Sequence, residues 1–187
     1  MASEPGKVIF LNGASSSGKS TLARHLQSIL PEPFWHFSID HFIDSGMLPS
    51  ARIRSGEFPW KDMRESFFDG FHRCLPSLVG AGNNLIVEHI IETEPWRQRL
   101  QDLLGHHDVF LVGVHCPVVE LERRERERGD RPIGDARRDF EVIHTFCGYD
   151  FEADSTRPVE ETAQELLVAW QDRQPDRVVR FKPLASL

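Results

Sequence analysis

Residues 7–20 read KVIFLNGASSSGKS, and they decide the fold. The run ahead of the first glycine is short, apolar and rich in β-branched residues, which predicts a buried parallel strand. From Gly13 onward the residues match G-x-x-x-x-G-K-[ST] at every fixed position. In such a loop the backbone N–H groups point inward at phosphates, and the next helix adds the positive end of its dipole. A serine-rich linker is the alternative, but the flanking strand and amphipathic helix favour a phosphate-binding loop (P-loop).

The loop predicts ATP and Mg²⁺ as cofactors. Lys19 is expected to reach the β- and γ-phosphates, and the Ser20 hydroxyl to help hold Mg²⁺. The three serines have little bulk, so the loop can lie close around phosphate groups. The predicted nucleotide-binding residues are Gly13, Ala14, Ser15, Ser16, Ser17, Gly18, Lys19, Ser20 and Thr21.

Strand and helix patterns alternate along the rest of the chain. Further strands are predicted at 34–39, 85–91, 108–116 and 149–154, and helices at 20–30, 61–79, 94–104, 117–128, 134–146 and 158–172. This alternation implies βαβ crossovers and a parallel sheet, so we expect one α/β domain over residues 1–187. We also expect an acceptor-side excursion at 41–60, a lid at 120–140 and a loosely attached tail at 174–187.

Composition limits the classes of function. The formal net charge is −7, so no broad basic field would attract nucleic acid or an anionic membrane. Cys74, Cys116 and Cys147 are widely spaced and form no C-x-x-C pair, which suits a reducing compartment. The apolar run near the N-terminus is too short for a signal sequence or a membrane span. We therefore expect a cytoplasmic protein with no nucleic-acid or membrane partner, and the oligomeric state does not follow from the sequence.

Among P-loop proteins, the chain fits a compact small-molecule kinase. A GTPase would need an N-K-x-D motif, which the sequence lacks. Motor and transporter ATPases usually need a longer chain and further motifs. A small kinase needs a group to orient or deprotonate the acceptor hydroxyl, cations around the transferred phosphoryl group and a cover that excludes water.

Carboxylates at the ends of two predicted strands are candidates for the acceptor and the metal. Asp40 follows the strand at 34–39, where ligands of open parallel sheets bind, although an aspartate there could also cap a helix. Glu88 is expected to support Mg²⁺ or contact the acceptor, with His89 on the opposite side of the strand, and which of the two faces the site stays open. Phe42 and Trp60 are expected to contribute an apolar wall to the acceptor pocket.

Arginines of the stretch ELERRERERGDR at 120–131 are candidates for the cations. Arg124, Arg128 and Arg131 share one face if the helix extends that far. Most such charge runs are solvated, salt-bridged helices. The three same-face arginines before a Gly-Asp-Arg break favour a lid whose guanidinium groups contact phosphates.

Four stretches resemble the chloramphenicol phosphotransferase family, from about residue 7 to residue 170. They are LNGASSSGKS, LQSILPEPFWHFSIDHFID, RERERGDR and IHTFCGYDFEAD. The resemblance implies a P-loop kinase-like three-layer sandwich with a five-stranded parallel sheet and an arginine-bearing lid. It also implies that ATP phosphorylates a hydroxyl group of the antibiotic. By this resemblance, Asp40 matches the family's catalytic base. Lys19 and Ser20 match its phosphate-binding and magnesium-binding residues. The three arginines match those of its R-x-x-x-R-G-D-R stretch.

Two regions depart from that family. Glu88 and His89 stand where the antibiotic kinase has two consecutive aspartates, and residues 45–60 do not match it. Both regions should contact the acceptor, so the ATP-binding half is predicted more firmly than chloramphenicol. The sequence predicts an ATP-dependent phosphotransferase for a hydroxyl group of a small, partly apolar molecule, chloramphenicol or a related antibiotic among them. The alternatives are a kinase of a metabolite, such as a sugar acid or nucleoside, and a regulatory protein that binds ATP without transferring phosphate.

Overall fold

A computed structural model describes residues 4–129, 133–174 and 181. Five parallel strands form one sheet in the order β2-β3-β1-β4-β5, which confirms the predicted fold class. The strands are β1 (Lys7–Asn12), β2 (Phe34–Ser38), β3 (Asn84–His89), β4 (Asp108–His115) and β5 (Phe151–Asp154). Ser38 pairs with Glu88 and Asn12 with His89, so the carboxyl ends of β2, β3 and β1 meet at one edge.

Helices cover both faces of the sheet. They are α1 (Lys19–Ile29), α2 (Ile39–Asp44), α3 (Ser50–Arg54), α4 (Trp60–Gly80), α5 (Glu94–Leu104), α6 (Val118–Arg128), α7 (Asp135–Val142) and α8 (Val159–Asp172). Side chains of β1 alternate between the faces: Ile9 and Leu11 pack in the core with α1 and α8, while Val8 and Phe10 pack with α4 and α5. The result is the three-layer sandwich that the sequence predicts. Within the described residues, no helix is both long and apolar enough to cross a membrane.

One residue of the C-terminal tail is part of the core. Phe181 is fully buried, and its ring meets Phe10 edge to face with 5.0 Å between centroids. The carbonyl of Phe181 accepts a hydrogen bond from the buried Arg97. At this position the expectation of a loosely attached tail is wrong. Residues 175–180 and 182–187 of the tail lie outside the described residues.

Candidate active site

The P-loop joins β1 to α1, and the backbone is constrained at three of its positions. A Cβ atom on Gly13 would lie 2.7 Å from the Val114 carbonyl oxygen, so only glycine fits there. Gly18 has φ +94°, in the left-handed region that favours glycine. Ser16 also has a positive φ of 64°, a costly backbone conformation for a serine that the surrounding loop maintains. Side chains at the glycine positions would therefore disturb the loop itself.

Lys19 is held inside this loop. Its side chain is buried, and its Nζ donates hydrogen bonds to the carbonyls of Gly13 at 2.8 Å and Ala14 at 2.7 Å. The Ser17 hydroxyl is also buried and has no hydrogen-bond partner among the described residues. A buried hydroxyl left unpaired is costly, and a bound oxyanion would satisfy it. Both observations fit a site for the phosphates of a nucleotide.

Glu88 faces the P-loop and links it to β2. Its Oε1 accepts a hydrogen bond from the Ser20 hydroxyl at 2.8 Å, and its Oε2 lies 2.8 Å from Nε2 of His36. Burial acts to raise the pKa of Glu88, but the hydrogen bond with His36 and the charge of Lys19 lower it to about 2. Glu88 is therefore ionised at neutral pH.

The Ser20–Glu88 pair fits a magnesium site. The Ser20 hydroxyl donates a hydrogen bond to Glu88, so the lone pairs of the Ser20 oxygen stay available for a cation. Mg²⁺ is usually bound through one or two protein oxygen ligands together with water and substrate phosphates, so no complete protein cage is needed. In keeping with that, the described residues contain no group of three or more His, Cys, Asp or Glu side chains suited to hold a metal.

His36 is a site residue that the sequence reasoning missed. It lies on β2 two residues before Ser38, and therefore on the same face of the strand. The pairing of Ser38 with Glu88 brings His36 to the Glu88 carboxylate. The strand spacing was visible in the sequence, but the adjacency of β2 and β3 was not.

Asp40 lies in the first turn of α2, beside Lys19 and Glu88 on the wall of one cavity. Ser38 is the N-cap of α2, and its hydroxyl accepts a hydrogen bond from the Asp40 N–H at 3.2 Å. The alternative that Asp40 caps the helix is therefore wrong. Because Ser38 caps the helix, the Asp40 carboxylate is not needed as the cap, and a role in ligand binding is compatible with its position.

This cavity has a volume of about 540 Å³, within the range of small-molecule sites. Loop residues, Asp40 and Glu88 form one part of its wall. Val114, Ala153 and Val159 form an apolar part, next to Thr162. The cavity thus combines a polar region at the P-loop with an apolar surface.

Two of the three predicted arginines also line the cavity. Arg124 donates from Nη2 to the Ser155 carbonyl at 2.9 Å and from Nε to Glu120 at 2.6 Å. Its Nη1 would lie 3.5 Å from a Cβ atom on Gly18, so the guanidinium group packs near the P-loop. Arg128 lines the same cavity, and Arg131 lies outside the described residues.

The family follows from a match over most of the chain. The model of the family described as "Chloramphenicol phosphotransferase-like protein" matches residues 6–171. The chain belongs to this family. A Mycobacterium tuberculosis H37Rv relative is provisionally named an O-phosphotransferase. It is 34% identical over an alignment of 194 positions that covers 91% of this chain and 85% of the relative. Together with the fold, these matches support a P-loop kinase-like phosphotransferase.

Solved kinases share the fold of this protein. The APS kinase of Mycobacterium tuberculosis, solved with AMPPNP and APS, aligns with a TM-score of 0.67 and 19% identity over 90% of this chain and 99% of its own. Shikimate kinase from Acinetobacter baumannii, solved with shikimate, aligns with a TM-score of 0.60 and 18% identity over 91% and 97%. At these identities the likeness concerns the fold alone.

The aromatic residues predicted for the acceptor pocket do not line this cavity. Phe42 packs against Phe37 and Phe71, at 5.4 and 5.7 Å between ring centroids. Trp60 packs on Phe67 at 5.4 Å. The two predicted residues therefore take part in aromatic packing, and neither lines the cavity that contains Asp40 on its wall.

Two further arginines reach the cavity without having been predicted. Arg24 lies four residues after Ser20, on the same face of α1, and Arg157 lies three residues after the end of β5. Arg157 is paired with Glu165 at 2.7 Å. The spacing of Arg24 from Ser20 was the one signal in the sequence that could have identified it.

Proposed function

We propose that this protein is an ATP- and Mg²⁺-dependent phosphotransferase acting on a hydroxyl group of a small, partly apolar molecule. The observation that carries the proposal is Asp40 on the same cavity wall as Lys19 and Glu88, at the carboxyl edge of the sheet. A general base and the phosphate-binding groups must share one cavity for direct transfer.

The chain's own residues divide the work between phosphates and acceptor. When bound, Mg²⁺–ATP supplies the phosphoryl group and part of the charge neutralisation. Ser20 and Glu88 would hold the metal, and Lys19 would exchange its contacts with the loop carbonyls for phosphate oxygens. Arg124 and Arg128 would stabilise negative charge on the transferred group. Asp40 would orient the acceptor hydroxyl and take its proton as the new bond forms.

The acceptor side favours a molecule without strong negative charge. A small cavity adjoins the site, and its wall combines the apolar side chains of Ile39, Phe68 and Ile90 with the carboxylates of Asp40, Glu88 and Glu92. These carboxylates would repel an anionic acceptor. Chloramphenicol or a related antibiotic is the acceptor that the family suggests, and APS and shikimate are the acceptor-side ligands named for its structural neighbours.

A phosphorylation screen tests the proposal. The full chain with ATP and MgCl₂ would be incubated with chloramphenicol, shikimate, gluconate and nucleosides, and each product examined by mass spectrometry for an added phosphoryl group. We expect product with a neutral acceptor. ATP binding with no phosphorylated product from such a panel would instead favour a regulatory ATP-binding protein.

Two variants separate the roles of base and loop. Asp40→Asn is expected to lower kcat by a factor of about 10² to 10⁴ while ATP affinity stays within about twofold. Asp44→Asn, an exposed carboxylate on the same short helix, is the matched control and should retain activity. Lys19→Ala is expected to weaken ATP binding and abolish transfer. Full activity in Asp40→Asn would refute the base assignment, and unchanged ATP affinity in Lys19→Ala would refute the loop assignment.

A further inference from the structure

Two buried histidines contact each other behind the candidate acceptor site. His72 lies on α4 and His89 ends β3, and they are 0% and 2% exposed. Their Nε2 atoms are 2.8 Å apart, a hydrogen-bond distance. Because a hydrogen bond between two imidazole nitrogens uses one proton and one lone pair, one ring donates and the other accepts.

The surroundings favour neutral rings. His89 stacks on Trp96 at 5.6 Å and lies 5.4 Å from the Phe71 ring. Burial, with the nearby charge of Arg99, lowers the pKa of His72 to about 4. A neutral imidazole carries its proton on one nitrogen only, so the tautomer decides which atoms of the pair can donate.

Arg99 fixes the direction of the chain of hydrogen bonds. Its Nη1 lies 3.5 Å from Nδ1 of His72, and a guanidinium group can only donate. Nδ1 of His72 therefore accepts, and the proton of that ring lies on Nε2. Nε2 of His72 donates to Nε2 of His89. Because Nε2 of His89 accepts, the single N–H proton of that neutral ring lies on Nδ1.

That last N–H group has no hydrogen-bond partner in the part of the chain that the structure describes. Nδ1 of His89 is buried and makes no hydrogen bond within the described residues. His89 also lines the small cavity of about 50 Å³ that contains Lys19, Asp40 and Phe68 on its wall. A buried N–H left unpaired is costly, so the site gains stability when an oxygen atom occupies the space beside it.

We propose that Nδ1–H of His89 is a specificity-determining donor in the acceptor pocket, where it binds a carbonyl, ether or hydroxyl oxygen of the acceptor beside Asp40. His72 is the positioning residue that holds His89 in the donating tautomer. The proposal rests on the proposed function, since it assigns the small cavity to the acceptor. It selects acceptors that carry an oxygen near the phosphorylated hydroxyl group.

The tautomers can be measured without any acceptor. In a long-range ¹H–¹⁵N spectrum of the full chain labelled at histidine, we expect His89 protonated at Nδ1 and His72 at Nε2. Signals would be assigned from the variants at each position. His72→Leu should give His89 as a mixture of tautomers, whereas His72→Gln, whose amide places a donor near the former Nε2, should restore the Nδ1–H form. A His89 protonated at Nε2 in the unaltered chain would overturn the inference.

Kinetics with chloramphenicol, adenosine and uridine, three acceptors without a negative charge, then test the contact itself. For any of these that is phosphorylated, His89→Leu should raise its KM about tenfold with kcat within about twofold. His89→Asn, which keeps a donor near Nδ1, and His72→Gln should stay within about threefold of the unaltered enzyme. His72→Leu should raise KM severalfold. Thermal denaturation of each variant checks its folding, and the His72 pair keeps the test decisive if His89→Leu does not fold.

The outcomes separate the two proposals. Product formation with an unchanged KM in His89→Leu refutes the role of His89 and leaves the proposed function standing. If no compound is phosphorylated, the proposed function fails for these acceptors. The ¹⁵N shift of His89 Nδ1 on addition of each compound at saturating concentration then decides the inference. A change in this ¹⁵N chemical shift with any one compound supports the contact. An unchanged chemical shift with all three compounds overturns the inference.

Discussion

Glu88→Gln tests the electrostatic centre of the site through stability alone. The Glu88 carboxylate is buried between Ser20 and His36, and its pKa is lowered from 4.5 to about 2. Glutamine has nearly the same shape and approximates the protonated acid. The substitution therefore removes the charge while leaving one oxygen to accept the Ser20 hydrogen bond.

The magnitude follows from proton linkage. Between pH 4.5 and about 2 the unfolded chain binds a proton at Glu88 that the folded chain does not, so this group stabilises the fold above pH 4.5 and loses that effect as pH falls. Each pH unit of the gap corresponds to about 1.4 kcal/mol. Glu88→Gln should therefore lower the free energy of unfolding at pH 7 by about 3 kcal/mol.

Urea denaturation at pH 7, 5, 4 and 3 measures this effect. The difference between the two proteins should be constant above about pH 5 and then shrink as pH falls. Glu57→Gln is the matched control, because Glu57 forms an exposed ion pair with Arg52, and its curve should follow the unaltered protein at every pH. A Glu88→Gln difference that is absent at pH 7, or that persists unchanged to pH 3, would refute the account of Glu88.

Two further predictions concern the loop and the lid. Gly13→Ala should weaken ATP binding at least about tenfold in calorimetry, because its Cβ atom would collide with a backbone carbonyl of β4. Gly70→Ala, with open space in α4, should instead raise stability by about 1 kcal/mol, and equal ATP affinities in these two variants would contradict the steric argument. Glu125→Ala should lower the free energy of unfolding by about 1–3 kcal/mol, since the buried carboxylate accepts the N–H groups that begin α7. Its urea midpoint should fall and amide exchange at Ala136 should accelerate, and unchanged exchange there would argue against this capping role.

The phosphate-binding half of the site could be predicted because its geometry is local. Gly18 bends the loop through its own dihedral angle, and Lys19 donates to the nearby carbonyls of Gly13 and Ala14. Strand alternation also predicts that only one of Glu88 and His89 faces the loop, but it does not say which of the two. Patterns of this kind are visible in a single sequence.

The acceptor half depends on contacts between distant segments, which the sequence does not show. His36 reaches Glu88 across 52 positions only because β2 pairs with β3. Phe42 and Trp60 were expected at the pocket because they lie in the excursion, but they pack on the aromatic side chains of β2 and α4. Phe67 packs on Trp60, and its neighbour Phe68 lines the small cavity. Helical spacing alone could not distinguish these positions.

Under the proposed function, the end of β3 would let the acceptor differ while the contacts of the P-loop stay the same. Successive side chains of a strand point to opposite sides, so Glu88 contacts the P-loop serine while His89 contacts α4. Both residues also border the small cavity beside Asp40. A substitution at His89 would alter the polar groups offered to an acceptor without changing the contact between Glu88 and Ser20. These two positions are also where the chain departs from the antibiotic kinase. Glu88 contacts Ser20 of the P-loop, so under the proposed function a difference in the acceptor would depend on His89.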